Sequence, residues 1–123
     1  MEDLYYLVTP YSHPDPLVME ERFKLAAQAT SFLMNQGRIV YSPIVHNHPI
    51  ATMFGLPRGW DYWKKYDTVM LSKCRGIIIL TIDGWRISVG LNAEKQIAEE
   101  QGLLIYYMSL IDGAYKFGEE YIQ

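Results

Sequence analysis

Apolar and polar residues follow two alternating patterns along the chain. Short, nearly continuous apolar runs predict buried strands at residues 4–9, 38–42, 76–81 and 103–107. Between them, apolar residues recur every three or four positions, which predicts helices over residues 16–36, 60–74 and from Gly90 to Gln101. Residues 44–59 fit neither pattern and predict a long irregular loop. The tail from Met108 leaves two alternatives, a short helix or an oligomer contact.

Strands that alternate with helices predict a parallel sheet with right-handed crossovers. The 123 residues form one domain in this interpretation, an α/β, single-domain, three-layer flavodoxin/Rossmann-like fold with a central parallel sheet of four to five strands. In the common order 2-1-3-4, the chain reverses direction between strands one and three, and ligands bind beyond the strand ends there. The loops at 10–14 and 82–88 are therefore expected to line a ligand site.

Two predicted helices carry an acid in the middle of their apolar face. At ~100° per residue, Glu94 shares a face with Leu91 and Ile97, and Asp67 shares one with Trp63 and Leu71. An ionised carboxylate buried without partners costs several kcal/mol. Two interpretations stay open: each acid is satisfied by an ion pair or sits at the rim of its face, or both belong to a functional site.

Other residues near the predicted switch point add candidate chemistry. The Tyr6 hydroxyl needs a partner if it is buried, and Glu94 is a natural one. Ser88, Val89 and Gly90 open the third helix, where a hydroxyl and free amides form a seat for phosphate. Ser88 as a plain N-cap is the simpler alternative.

Composition and charge narrow the classes of partner. Half of the residues are hydrophobic, and the net charge of −3 provides no basic surface for nucleic-acid polymers or anionic membranes. The single cysteine, Cys74, argues against disulfides and favours a cytoplasmic location. The first residues, Met-Glu-Asp, lack the basic region of a signal peptide. No apolar run approaches the ~20 residues of a membrane span.

Several remaining side chains favour simple structural roles. His46 and His48 have no third metal ligand beside them, so we expect loop packing, with shaping of a base pocket as the alternative, and no metal or cofactor. Trp60 and Trp63 are expected in the core rather than stacked on a base. Cys74 is expected to be a small core residue.

Four segments resemble the nucleoside 2-deoxyribosyltransferase superfamily, including its nucleoside 5'-monophosphate N-glycosidases. They are Tyr6-Leu7-Val8-Thr9-Pro10 in the first strand, the helical stretch from Asp67 to Cys74, Ser88-Val89-Gly90-Leu91-Asn92-Ala93-Glu94, which matches the pattern S-x-G-x-x-x-E, and Gln101-Gly102. The matching segments span residues 5–107, although the middle loop does not match closely. The stretch from Gly84 to Gly90 is most similar to an uncharacterised bacterial subgroup.

The resemblance implies a chemistry for these residues. Glu94 would be the nucleophile that attacks the anomeric carbon, Tyr6 would orient it, and Asp67 would contact the base or sugar and help with proton transfer. Ser88 and Gly90 would hold a 5'-phosphate, and Thr9, Pro10 and Tyr11 would belong to the substrate site. Ser12 and His13 stand where some hydrolase members carry a phosphate-site arginine, so Arg22 or Arg86 would replace it. Family members also imply a homo-oligomer.

Three hypotheses of function follow. The first is an N-glycosidic bond hydrolase or transferase that acts on a (deoxy)nucleoside 5'-monophosphate or a nucleoside through a glutamate nucleophile. The second is a non-catalytic module that binds or senses a nucleotide in the same cleft. The third is an interaction domain whose inward acids are paired structurally.

Overall fold

A computed structural model describes residues 2–119 and contains one five-stranded sheet in the order β2-β1-β3-β4-β5. The strands are β1 (Leu4–Val8), β2 (Ile39–Tyr41), β3 (Gly76–Leu80), β4 (Leu104–Ile111) and β5 (Ala114–Gly118). The first four pair in parallel, and β5 pairs antiparallel with β4. The predicted α/β class and the order 2-1-3-4 are therefore confirmed, with β5 as an added edge strand.

Four α-helices connect the parallel strands: α1 (Pro16–Asn35), α2 (Pro43–Phe54), α3 (Trp60–Ser72) and α4 (Val89–Glu100). The predicted start of α1 is confirmed, because the Asp15 side chain accepts a hydrogen bond from the Leu17 amide and Pro16 occupies the first turn. Ser88 caps α4 in the same way by accepting from the Leu91 amide. Between β3 and α4 lies a short 3₁₀ turn, Trp85–Ile87.

Alternate residues of the strands build two separate apolar layers. One core cluster, which includes Tyr6, Val8, Ile77 and Ile79, packs against residues of α3 and α4, and the other packs against α1. Every residue of β3 is buried, as expected for a central parallel strand that is covered on both faces. The three-layer arrangement follows from this alternation, because successive side chains of a strand point to opposite faces.

Two predictions about the elements are wrong. The stretch predicted as a loop, residues 44–59, contains α2, which begins after the N-cap Ser42 and ends at Gly55 in the left-handed conformation. Its buried residues include Asn47 and His48, so the hydrophobic period gave no signal for it. Of the two alternatives for the tail, the helix is wrong, because the tail forms the end of β4 and the strand β5. The oligomer contact stays a prediction. The part of that prediction that falls on residues 120–123 lies outside the described residues.

The reversal of strand order lies between the neighbours β1 and β3, as predicted. The loops that follow these two strands, together with α2 and the first turns of α3 and α4, surround a cavity at this position. Within residues 2–119, no helix has both the length and the apolar character that crossing a bilayer requires.

Candidate active site

A cavity of about 620 Å³ lies at the switch point, a size typical of small-molecule sites. Seven of the nine residues predicted for the site line its wall: Thr9, Tyr11, Arg22, Asp67, Ser88, Gly90 and Glu94. Residues from three further segments complete the wall, among them Asn47, His48, Arg58, Trp60 and Trp63. The predicted loops and both inward acids therefore meet in one hollow.

Glu94 lies on the buried face of α4 with only 5% of its surface exposed. The Tyr6 hydroxyl donates a hydrogen bond to Glu94 Oε2, which confirms the partner expected from the sequence. Burial raises the pKa of Glu94 to about 8, although the Tyr6 hydrogen bond acts in the opposite direction. Tyr6 is fully buried behind the carboxylate, and burial and the neighbouring Glu94 charge raise its pKa, so it remains a phenol.

Asp67 lies on the buried face of α3 and is 6% exposed. Burial raises its pKa to about 6, while a hydrogen bond from Asn47 Nδ2 to Asp67 Oδ1, at 3.1 Å, lowers it. A second contact, 2.7 Å between His46 Nδ1 and Asn47 Oδ1, orients the Asn47 amide so that its NH₂ group faces Asp67. Residues of α2 thus position this acid.

The two acids face the same cavity, and their hydrogen-bond donors are neutral groups. Within residues 2–119, neither Asp67 nor Glu94 takes part in an ion pair with lysine or arginine. The negative charge of Asp67 further raises the pKa of Glu94, as expected for carboxylates that share a low-dielectric site. The interpretation of two separate, structurally paired acids does not fit this arrangement.

The first turn of α4 forms another part of the wall. The Ser88 hydroxyl accepts from the Leu91 amide at 3.2 Å and keeps its own proton free to donate. Gly90 faces Trp60, since a Cβ atom there would stand 3.8 Å from Trp60 Cε3. A helix N-terminus that opens into a cavity favours an anionic group.

Arg22 connects the two loops that line the switch point, one after β1 and one after β3. Its guanidinium donates to the carbonyl oxygens of Tyr11 and Ser12 at 3.3 and 3.1 Å, and to that of Asp83 at 3.3 Å. Arg22 therefore fixes the spacing of these loops while it lines the cavity. Arg86, the other arginine considered from the sequence, lies over the Trp85 ring at 5.1 Å and does not line the cavity.

Thr9 and Pro10 behave differently although they are neighbours. Thr9 lines the cavity, is 3% exposed and leaves its hydroxyl without a hydrogen-bond partner among the described residues. Pro10 is fully buried and does not line the cavity, which corrects the prediction that it binds substrate. Full burial of the Pro10 ring leaves it no surface to offer a ligand, which is the reason for the difference.

Trp60 and Trp63 are half-buried and line the cavity, so the prediction of a core position is wrong. The helix α3 begins beside the carboxyl ends of the strands, and its first turn therefore reaches past the core. The Trp63 indole donates to the Pro57 carbonyl at 2.8 Å, which holds its ring at the cavity wall. Cys74 is buried in the core cluster, as predicted.

The helix α2 and the segment that follows it contribute residues to the site that were not predicted. His48 is buried and contacts Tyr11 and Glu20, and Arg58 lies on the wall next to the Tyr11 hydroxyl. The pair Ser42-Pro43 carries the same helix-start signal as Asp15-Pro16 and was the available sign of this helix. Across residues 2–119, no group of three or more His, Cys, Asp or Glu side chains has the arrangement of a metal site.

The fold and the cavity define a class of protein: a mostly parallel α/β domain with two buried carboxylates at its switch point. The chain belongs to the family described as Domain of unknown function (DUF1937), whose model matches residues 3–110. The match includes every residue of the cavity wall named above. No curated protein matches the chain.

Proposed function

We propose that this protein cleaves the N-glycosidic bond of a (deoxy)nucleoside 5'-monophosphate or a nucleoside, with Glu94 as the nucleophile. The observation that carries the proposal is the pairing of Asp67 and Glu94 on one cavity wall, each with a neutral hydrogen-bond donor. Carboxylates with different pKa values in one cleft are typical of glycoside-cleaving sites. The resemblance of residues 88–94 to the S-x-G-x-x-x-E pattern supports the same chemistry.

In the first step, an oxygen of ionised Glu94 forms a bond to the anomeric carbon. The carbon–nitrogen bond breaks, and its electron pair leaves with the base, which takes up a proton. The Tyr6 hydroxyl holds the attacking carboxylate in one orientation. Positive charge develops on the sugar in the transition state, and the nearby negative charge of Asp67 stabilises it.

In the second step, water or the hydroxyl or amine of an acceptor attacks the sugar ester and frees Glu94. Water gives a hydrolase, and an acceptor base gives a transferase. Asp67, with a pKa of about 6, is mostly ionised at neutral pH and accepts the proton of the attacking water.

A phosphate on the substrate is supported by the first turn of α4. The Ser88 hydroxyl and the amides near Gly90 line the cavity, and the helix dipole favours an anion there. Thr9 has an unpaired buried hydroxyl on the same wall, which a sugar hydroxyl could satisfy. Trp60 and Trp63 offer flat apolar surfaces to a base.

A panel of nucleosides and their 5'-monophosphates, analysed for free base by chromatography, tests the proposal. Glu94→Gln is expected to lose turnover yet keep ligand binding, since the amide retains an acceptor for Tyr6. Glu99→Gln, which changes an exposed acid of the same helix, is the matched control and keeps full activity. A 2'-fluorinated substrate, whose sugar ester hydrolyses slowly, should add a mass to the peptide that contains Glu94.

The outcomes separate the competing hypotheses. Ligand binding without base release by the wild type would establish the binding or sensing module instead. Binding of no member of the panel would contradict both proposals and favour an interaction domain. A sugar adduct on Asp67 would exchange the roles of the two acids.

Two further expectations accompany this proposal. The resemblance implies a homo-oligomer, which light scattering after size-exclusion chromatography measures directly. The cytoplasmic location expected from the single cysteine is tested by fractionation of cells that produce the protein.

A further inference from the structure

We propose that Tyr11 is the proton donor to the departing base, that His48 is a positioning residue that replaces the Tyr11 proton, and that Glu20 is a positioning residue that holds His48. This proposal rests on the proposed N-glycosidic cleavage. It rests on a continuous chain of three side chains that joins the cavity wall to the protein surface.

The contacts among Tyr11, His48 and Glu20 are short. Tyr11 Oη lies 2.5 Å from His48 Nδ1, and His48 Nε2 lies 2.7 Å from Glu20 Oε2. The His48 side chain is 4% exposed, whereas that of Glu20 is 46% exposed. Tyr11 and His48 line the cavity, and Glu20 does not. The three side chains therefore connect the cavity to solvent through a buried imidazole.

Packing fixes the imidazole in place. The Phe23 ring stacks on His48 with centroids 4.5 Å apart and an angle of 24°, and the Tyr11 ring meets it edge-on at 5.5 Å. Both ring nitrogens are already engaged, so a rotation of the ring would break two hydrogen bonds. A histidine used only for packing needs neither an acid on one nitrogen nor a cavity-facing phenol on the other.

The charges around the imidazole favour proton transfer. The Glu20 carboxylate of α1 faces Nε2 and accepts a hydrogen bond from it, so Nδ1 is the nitrogen that exchanges a proton with Tyr11. Arg58, from the segment between α2 and α3, is the other charged group beside the Tyr11 hydroxyl. Burial raises the pKa of Tyr11 and the Arg58 guanidinium lowers it, so the phenol carries its proton at neutral pH and the cation beside it favours release of that proton.

Neither of the two acids in the cavity is the proton donor to the departing base. Asp67 acts as an anion in the proposed mechanism, where its charge stabilises the sugar cation, so it does not supply the proton of the base. Glu94 must be ionised when it attacks. A purine or pyrimidine that leaves as an anion needs a donor, and Tyr11 is the remaining hydroxyl on this wall with a histidine behind it.

The step requires His48 with a proton on both nitrogens, Nε2–H donated to the Glu20 carboxylate and Nδ1–H donated to Tyr11. As the carbon–nitrogen bond breaks, the base nitrogen takes the Tyr11 hydroxyl proton, and the Tyr11 oxygen takes the Nδ1 proton. His48 becomes neutral, Glu20 remains ionised, and one proton has reached the base. After product release, water in the emptied cavity returns a proton to His48 Nδ1 through the Tyr11 hydroxyl.

The test compares two leaving groups. An unmodified purine nucleotide needs a proton when it leaves, whereas its N7-methylated form departs as a neutral base without one. Tyr11→Phe is expected to lower kcat for the unmodified purine by about 10²-fold or more and to leave kcat for the methylated purine nearly unchanged. Tyr62→Phe, at an exposed tyrosine of α3, is the control and affects neither substrate.

His48→Gln and Glu20→Gln should show the same selectivity, with KM for both substrates nearly unchanged. Thermal melting establishes that each variant is folded, and Tyr11→Phe keeps the ring that packs on His48. Equal losses on both substrates, or no loss, would overturn the role of Tyr11 and leave the proposed function intact. Absence of base release by the wild type would overturn the proposed function and this inference with it.

Discussion

The hydroxyl of Tyr6 donates a hydrogen bond to the carboxylate of Glu94, a residue 88 positions later in the chain. The bond joins the centre of β1 to the buried face of α4 across the apolar core. A neutral donor in this position favours the ionised form of Glu94 without cancelling its charge. The same bond also fixes the direction of the carboxylate toward the cavity.

Tyr6→Phe is expected to weaken catalysis and to shift its pH dependence. Without the hydroxyl, the pKa of Glu94 rises further above about 8, so less carboxylate is present at neutral pH. A hydrogen bond to a charged group is worth about 1.5–3 kcal/mol, so kcat/KM at pH 7 should fall by about 10–100-fold. Tyr5→Phe, at a half-buried tyrosine on the opposite face of β1, is the control.

The pH profile of the wild type tests the role of Glu94. A nucleophile must be ionised, so kcat/KM for the N7-methylated purine, which leaves without a proton donor, should rise with pH and level off above about 8, the pKa of Glu94 in the free protein. A decline above that pH would indicate that Glu94 acts as the acid instead. Initial rates of base release across the range, with stability checked at each pH, give the profile.

Glu94→Gln is expected to stabilise the fold at high pH. The pKa of Glu94 rises from its ordinary 4.5 to about 8 on folding, so the free energy of unfolding of the wild type falls as pH rises between these values. The glutamine variant lacks this loss. Its melting temperature should exceed that of the wild type by an amount that grows from pH 4.5 and levels off above 8.

The difference at pH 8 should correspond to on the order of a few kcal/mol, which is roughly ten degrees in a domain of this size. Calorimetry over this pH range measures it, with Glu99→Gln as the exposed control on α4. A difference independent of pH would contradict a buried, titrating Glu94.

Asn47→Ala is expected to change the titration of Asp67. Asn47 donates to Asp67 Oδ1 and lowers its pKa against the effect of burial, so its removal should raise this pKa above about 6. Carboxyl ¹³C shifts followed by NMR give the value directly. Asn35→Ala, at an exposed asparagine at the end of α1, serves as the control and should leave the pKa of Asp67 unchanged. An unchanged pKa would mean that water replaces the amide.

Two glycines should respond in opposite ways to alanine. At Gly76, a Cβ atom would stand 2.7 Å from the carbonyl oxygen and 2.8 Å from the Cβ atom of Leu104, so β3 and β4 would have to separate. Gly76→Ala should lower the free energy of unfolding by about 1–3 kcal/mol. Gly90→Ala meets only Trp60 at 3.8 Å and should raise stability by up to about 1 kcal/mol. Urea denaturation compares them.

Local patterns predicted most of the fold. The strands β1 and β3 are apolar throughout, and α3 and α4 show clear apolar faces, so their existence and order followed from periodicity. The hydrophobic pattern did not predict the helix α2, because its buried side includes Asn47 and His48 and because Pro49 lies inside it. A polar buried face is the property that makes α2 part of the site, and it is also the property that conceals a helix from hydrophobic patterns.

The positions of Asp67 and Glu94 on buried helix faces follow from the order of residues alone, because helical period is a local property of the chain. The residues do not reveal in advance that both acids reach the same cavity, that Asn47 donates to one and Tyr6 to the other, and that His48 contacts Tyr11. These relationships depend on how distant elements pack. The pKa values of the two acids depend on the same packing, since burial is the largest cause of both shifts.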